Sequence, residues 1–414
     1  MVTTRSQFLN GLKWLLTVFL ISSFEIFDSY SWGKYLFLIC SVLIFIVSVI
    51  ERGWIAKFRI EPFIVFVFIF VAYVAVTAVW SINSQDTLTM ARTLLRIGVC
   101  FTLVYWAYMD EDDPYRLITV IVFASYIVAL YSTFFYGFGN ILRAANDIRL
   151  ANTYSNVNGI ALLLAMGCIC DLFLILFRGF KFYSLLSMLS VVIILATQSR
   201  KAALYLGLGI IALVVFRFST SKKVGYKILK VIFILLCSLL VLYFVLKLPI
   251  FSGVNNRMDA MIDTLFEDVE SDSSTVKRSD MISLGLSCWR QRPINGVGMA
   301  ATHILTERYL YYDTYLHNNY VELLAGGGII GFIVYYSMCV YLIAKIFQLR
   351  KTHYQWYVIG IVLLGLLLIM DYGRVSYYSK TNLFELMILF LIVSHFHKSE
   401  SAERKEIEND RYAD

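Results

Sequence analysis

The chain has 414 residues, 59% of them hydrophobic and only 16% charged, with a formal net charge of +7. A soluble globular protein is about half apolar and about a quarter charged, so this composition excludes an ordinary water-soluble fold. The basic balance does not make a nucleic-acid binder, because the lysines and arginines are spread over many loops and never gather into one patch.

Apolar runs long enough to cross a bilayer recur along the whole length. They predict an all-α polytopic membrane protein with about twelve transmembrane helices. The expected spans are 11–28, 34–50, 62–80, 88–109, 116–136, 157–177, 182–197, 202–218, 228–249, 321–346, 356–370 and 382–397. The first apolar run, from Gly11 to Phe27, contains Glu25 and has no small-residue cleavage site, so it reads as a retained span and not a signal peptide. With few prolines and no Gly/Ser-rich linker, residues 1–397 form one membrane domain, followed by a charged, disordered cytoplasmic tail over 398–414.

Lysine and arginine prefer the cytoplasmic side. Arg5, Lys13, Arg52, Lys57, Arg59, Arg178, Lys222, Lys223, Arg350, Lys351 and Lys398 fall on one side of the expected spans, with few cations opposite. Both termini are therefore expected in the cytoplasm, and one large loop, about 250–319 between helices 9 and 10, on the far side. The loop's first half, Asp259 to Asp280, is polar and acidic, with a flexible stretch over Ser271 to Thr275. In its second half Leu305, Tyr309, Tyr312 and Leu316 recur at helical spacing. That pattern suits either a helix lying on the membrane surface or a small loop domain packed on itself. The cysteines lie mostly inside apolar runs and read as small buried hydrophobes; Cys288 alone is in the loop.

Four places depart from apolar monotony. In the short outer turn Thr197-Gln198-Ser199-Arg200-Lys201-Ala202, an arginine held at the membrane surface suits bidentate oxyanion binding or serves only as an interface anchor. Arg278 is a second outer cation, followed by Trp289 and by a tight turn in Arg292-Pro293-Ile294-Asn295-Gly296-Val297-Gly298. His317 stands where the loop ends and a span begins, and Asn318 or Asn319 can cap that helix. A neutral imidazole there is a competent general base, with His303 lacking the helix-end setting. The glycines at 326–328 and 331 allow close packing beneath it. Arg92 and Arg96 share one face of the fourth span, where they either face a polar cavity or snorkel.

Taken together, these residues resemble the O-antigen ligase and polysaccharide polymerase family of bacterial membrane glycosyltransferases. The segment Arg149 to Gly159 resembles the family's loop ending in an asparagine pair before a span. Gln198-Ser199-Arg200-Lys201-Ala202 resembles its Ser-Arg-Gly-Ala turn, with Lys201 in place of glycine. Arg278 with Trp289, Pro293, Gly296, Val297 and Gly298 resembles its Arg…Pro-x-x-Gly-Val-Gly segment, and His317-Asn318-x-Tyr320 its most specific signature. Gly326 stands where family members often carry an acid.

The resemblance implies a GT-C-like helical fold in the bacterial cytoplasmic (inner) membrane. It implies glycan transfer on the extracytoplasmic face from a polyprenyl-pyrophosphate-linked oligosaccharide, usually on undecaprenyl pyrophosphate. The acceptor is another lipid-linked repeat unit or a lipid A core, and no nucleotide sugar, cofactor or metal is implied. Arg200, Arg278 and His317 carry over as catalytic residues. Arg92, Arg96, Arg149, Asn318, Tyr320 and Glu322 are the expected substrate-binding residues. A transporter or flippase is the alternative from another class; it would place polar groups at mid-membrane, as Asp171 does, and show internal symmetry, of which the sequence has no sign.

Overall fold

The computed structural model describes residues 2–27, 29–52, 59–146, 150, 156–218, 259 and 273–411. All regular structure among them is helical. In chain order the helices are α1 (Val2–Ile26), α2 (Gly33–Arg52), α3 (Pro62–Thr77), α4 (Ser84–Tyr108), α5 (Tyr115–Tyr136), α6 (Phe138–Asn146), α7 (Val157–Arg178), a 3₁₀ turn (Phe182–Leu185) running into α8 (Leu186–Ala196), and α9 (Arg200–Phe218). Beyond residue 272 come α10 (Ser273–Gln291), α11 (Thr302–Leu310), α12 (Asn319–Gln348), α13 (Tyr354–Asp371) and α14 (Lys380–Arg411).

Eight of these helices are long and apolar enough to cross a membrane; α3 and the segment Phe182–Ala196 are shorter apolar helices. Only helices and closed barrels satisfy their own backbone groups in lipid, so long apolar runs fold this way. Each expected span falls on a helix except 228–249, which lies outside the described residues, as does most of 250–272. The helices pack as neighbours, α1 on α2 and α5, α7 on α5 and α9, α12 on α3 and α13, around one continuous core of aliphatic and aromatic side chains.

Two charged side chains inside the bundle are paired. Asp171, fully buried, accepts hydrogen bonds from Ser184 (2.8 Å) and Ser187 (2.7 Å), so its carboxylate fastens α7 to the 3₁₀ turn and α8. Lys13, 1% exposed, bridges Glu51 and Glu111 at 3.3 Å each. A buried cation is tolerated only when so compensated.

Three expectations need correction. The recurrence of Leu305, Tyr309, Tyr312 and Leu316 does not make one helical face. Helix α11 ends at Leu310 because Tyr311 turns left-handed (φ 61°), and the chain folds back, Tyr312 N–H donating to Thr306 O. Leu316 instead packs with Met281, Cys288, Val321 and Ala325 in a second small core beneath the loop. The stretch Ser271–Thr275 is not a free linker throughout, since α10 begins at Ser273. The charged end of the chain is helical through Arg411.

Candidate active site

The turn before α9 is held from several sides. Gln198 adopts a left-handed conformation (φ 48°), and its side-chain amide donates to Ala144 O on α6 (3.1 Å). Thr197 Oγ1 donates to Ile194 O (2.6 Å) and accepts from Ser199 N (3.3 Å). These contacts fix Arg200, 8% exposed, as the first residue of α9. A side chain placed this way loses little further entropy on gripping an anion.

The Pro-x-x-Gly-Val-Gly turn is docked onto a break in α12. Gly328 (φ 62°, ψ −168°) interrupts that helix and frees backbone groups on either side of it. The turn satisfies them. Val297 N donates to Ala325 O and Gly298 N to Gly326 O, while Ile329 N donates to Pro293 O, each at 2.9 Å. Irregular backbone at such a place is stable only when re-satisfied in this way. A Cβ on Gly296 would come within 2.4 Å of Gly326 O, and one on Gly328 within 2.2 Å of Ile294 O. The glycines thus serve a backbone zipper as well as helix packing: Gly327 and Gly331 lie against Tyr73 of α3. Trp80 Nε1 donates to Asn295 O (2.9 Å), tying the same turn to the segment after α3.

The chain then delivers His317 to the head of α12. Asn318 is the N-cap, its side chain accepting from Val321 N (3.1 Å). Glu322, 2% exposed, reaches back: Leu316 N donates to Oε2 (3.0 Å) and Thr302 Oγ1 to Oε1 (2.5 Å). Asn319 donates to Asp371 (3.2 Å) and accepts from Ser376 N and Tyr377 N, which clamps the loop after α13. Tyr320 donates to Leu368 O (2.6 Å) and stacks on Tyr336. Asn318, Tyr320 and Glu322 therefore all have partners within the protein.

His317 takes a left-handed backbone (φ 56°) and lies 4.3 Å, ring to ring, from Tyr315. Its Nδ1 is buried and has no hydrogen-bond partner. Burial first, and then the positive fields of Arg278 and Lys201, push its pKa down to about 4, so the ring is neutral near pH 7. His303, expected to lack a helix-end setting, in fact lies in the first turn of α11, where its Nε2 faces Asp86 at 3.1 Å.

The fields around these side chains show what converges. Lys201 feels Arg278, Arg374 and Arg200, and the same Arg278 and Lys201 act on His317. The stem of Lys201 lies against Gly373, next to Arg374. Arg374 has a buried Nε without a hydrogen-bond partner. Four basic side chains, from the start of α9, α10 and the loop after α13, thus lie within range of one another, and two of them, Arg278 and Lys201, act on the neutral imidazole. Arg374 is not among the residues singled out from the sequence; the signal available was its place in a short loop between two apolar runs on the same side as Arg200. Arg92 and Arg96 lie exposed on α4, on a face with Leu88 and Leu95, and do not figure in these fields. Arg149 lies outside the described residues.

Residues 185–336 match the family model described as O-antigen ligase. That stretch of the chain is similar to the O-antigen ligase family. The matched stretch contains Arg200, Lys201, Arg278, the glycine turn and His317, and ends within α12; Arg374 comes from beyond it. No curated protein matches the chain.

Chemically, the cluster offers charge-assisted donors for a multiply charged anion, and beside them an imidazole able to take a proton. Among the described residues, no group of histidine, cysteine and acidic side chains gathers in a way that could hold a metal ion.

Proposed function

We propose that the protein transfers a glycan from a polyprenyl-pyrophosphate carrier to a hydroxyl acceptor on the extracytoplasmic face of the bacterial cytoplasmic membrane, polymerising surface-polysaccharide repeat units. The observation that carries this reading is that Arg278, Arg374 and Arg200 act on Lys201, while Arg278 and Lys201 act on neutral His317. In the reaction the acceptor oxygen attacks the anomeric carbon of the donor sugar while its proton passes to the His317 imidazole. The bond from that carbon to the phosphate oxygen breaks, and the electron pair leaves with the pyrophosphate. The cations stabilise the charge that grows there, the largest lever such a site has. Pyrophosphate also offsets the field of Arg278 and Lys201, which after burial is what depresses His317, so the bound donor raises the basicity of His317 at the step that needs it.

In this reading about twelve spans cross the membrane, both termini are cytoplasmic, and the cluster opens to the outer leaflet, where the lipid tail lies. A cysteine introduced at Ser273 is then labelled from outside; labelling only from the cytoplasm would invert the topology and remove the reading. A second acceptor is supported by the O-antigen ligase description of the matching family: a lipid A core, to which finished polymer is joined. Deleting the gene separates the two. A polymerase deletion leaves single repeat units on the surface, whereas a ligase deletion leaves polymer on its carrier lipid.

A further inference from the structure

A cavity of about 630 Å³ opens at the other end of the bundle. It lies between the start of α3, the ends of α4 and α12 and the middle of α14, and Arg59, Glu61, Tyr105, Tyr341, Lys345 and Lys398 line it. From Asn319 beside His317 to Lys345 at this cavity, α12 runs about 35–40 Å, so the two places share no residue. The size is that of a small-molecule site.

Its chemistry is divided. Three cations stand against one acid. Glu61 is occupied by Lys398 (3.0 Å) and by Ser394 (3.3 Å). Among the described residues, Arg59, half exposed, has only a long contact to Asp110 (3.8 Å), and the polar contact of Lys345 is a neutral one, Gln348 (3.4 Å). Two positive charges are thus left over at the mouth. The floor is aromatic: Phe63 stacks on Tyr105 at 5.1 Å, and Tyr341 on Phe390 at 5.6 Å. Tyr105 lines the cavity and is otherwise buried.

We propose that this cavity binds the phosphate headgroup of an anionic phospholipid from the leaflet on that side, with Arg59 and Lys345 on the phosphate and the chains against the aromatic floor. Cationic pockets between membrane helices select such headgroups. The proposal is independent of the transfer reaction at His317, since neither site supplies a residue to the other.

Native mass spectrometry of the full chain, titrated separately with phosphatidylglycerol, phosphatidylcholine and inorganic phosphate, tests it. Phosphatidylglycerol is expected to be retained in preference to phosphatidylcholine. Arg59→Gln with Lys345→Gln should weaken that retention about 25-fold, and Lys345→Gln alone about fivefold, the latter serving if the double variant folds poorly. Lys351→Gln removes an exposed cation on the same side that does not line the cavity, and should change nothing. Equal retention of the two lipids, an unchanged Lys345→Gln variant, or an equal loss in Lys351→Gln would overturn the proposal. Displacement of phosphatidylglycerol by inorganic phosphate would assign the cavity to a free anion and overturn its assignment to lipid.

Discussion

Replacing Glu322 by glutamine and by alanine separates two roles for a buried acid near the candidate base. The carboxylate holds Leu316 N (3.0 Å) and Thr302 Oγ1 (2.5 Å), and Leu316 immediately precedes His317. Glutamine keeps one acceptor for the Leu316 N–H and turns its amide toward the threonine oxygen, so both contacts survive as neutral bonds worth about 0.5–1.5 kcal/mol each. Alanine leaves the Leu316 N–H buried and unmatched, a cost of about 1–3 kcal/mol, and opens a cavity beside it. The loop carrying His317 then relaxes, and a misplacement of about 1 Å costs on the order of 100-fold in rate. Transfer kinetics in proteoliposomes, with donor binding measured separately, should give Glu322→Gln a kcat near wild type and Glu322→Ala a kcat down about 100-fold, both with near-normal donor affinity. A Glu322→Gln protein as inactive as the alanine variant would place the carboxylate on the substrate. Wild-type kcat in Glu322→Ala would show that the loop does not depend on it.

Further outcomes follow from the same geometry. Because the His317 pKa is depressed, to about 4, the base-competent neutral form persists as pH falls and is lost only on passing through that value. The kcat/KM profile should therefore fall at about pH 4, and the kcat profile at higher pH, since bound pyrophosphate relieves the positive field; Lys201→Gln should move the kcat/KM limb upward. Arg278→Ala should abolish transfer and Arg278→Lys restore little, because a point charge lacks the guanidinium fork. Gly328→Ala puts a side chain at φ 62° and its Cβ 2.2 Å from Ile294 O, so strain of about 1–3 kcal/mol plus a backbone clash should lower the unfolding temperature in detergent by several degrees. An unchanged melt would remove the zipper between the glycine turn and α12.

Helix positions were legible because lipid leaves the backbone few choices and apolar length marks them directly. The ends of α5, α7 and α13 fall within two residues of where hydropathy placed the spans, and Pro114, Gly137, Asn156 and Gly179 punctuate α5 and α7. What could not be read was long-range. Asp171 looked like a stray acid because its partners, Ser184 and Ser187, lie across a helix turn and carry no charge to signal the match. Arg374 joined the cluster only through tertiary folding, when Asn319 clamped the loop after α13. The periodicity around Tyr309 misled because a helix pattern cannot show that Tyr311 leaves helical geometry.

The central claim is glycan transfer at the cluster around His317. The direct measurement is reconstitution of the purified chain in liposomes with a lipid-linked oligosaccharide as both donor and acceptor. Longer lipid-linked glycan and free polyprenyl pyrophosphate should form together, and His317→Gln should stop both while donor binding remains. Movement of intact donor across the bilayer without any new glycosidic bond, or full transfer activity in His317→Gln, would contradict the account.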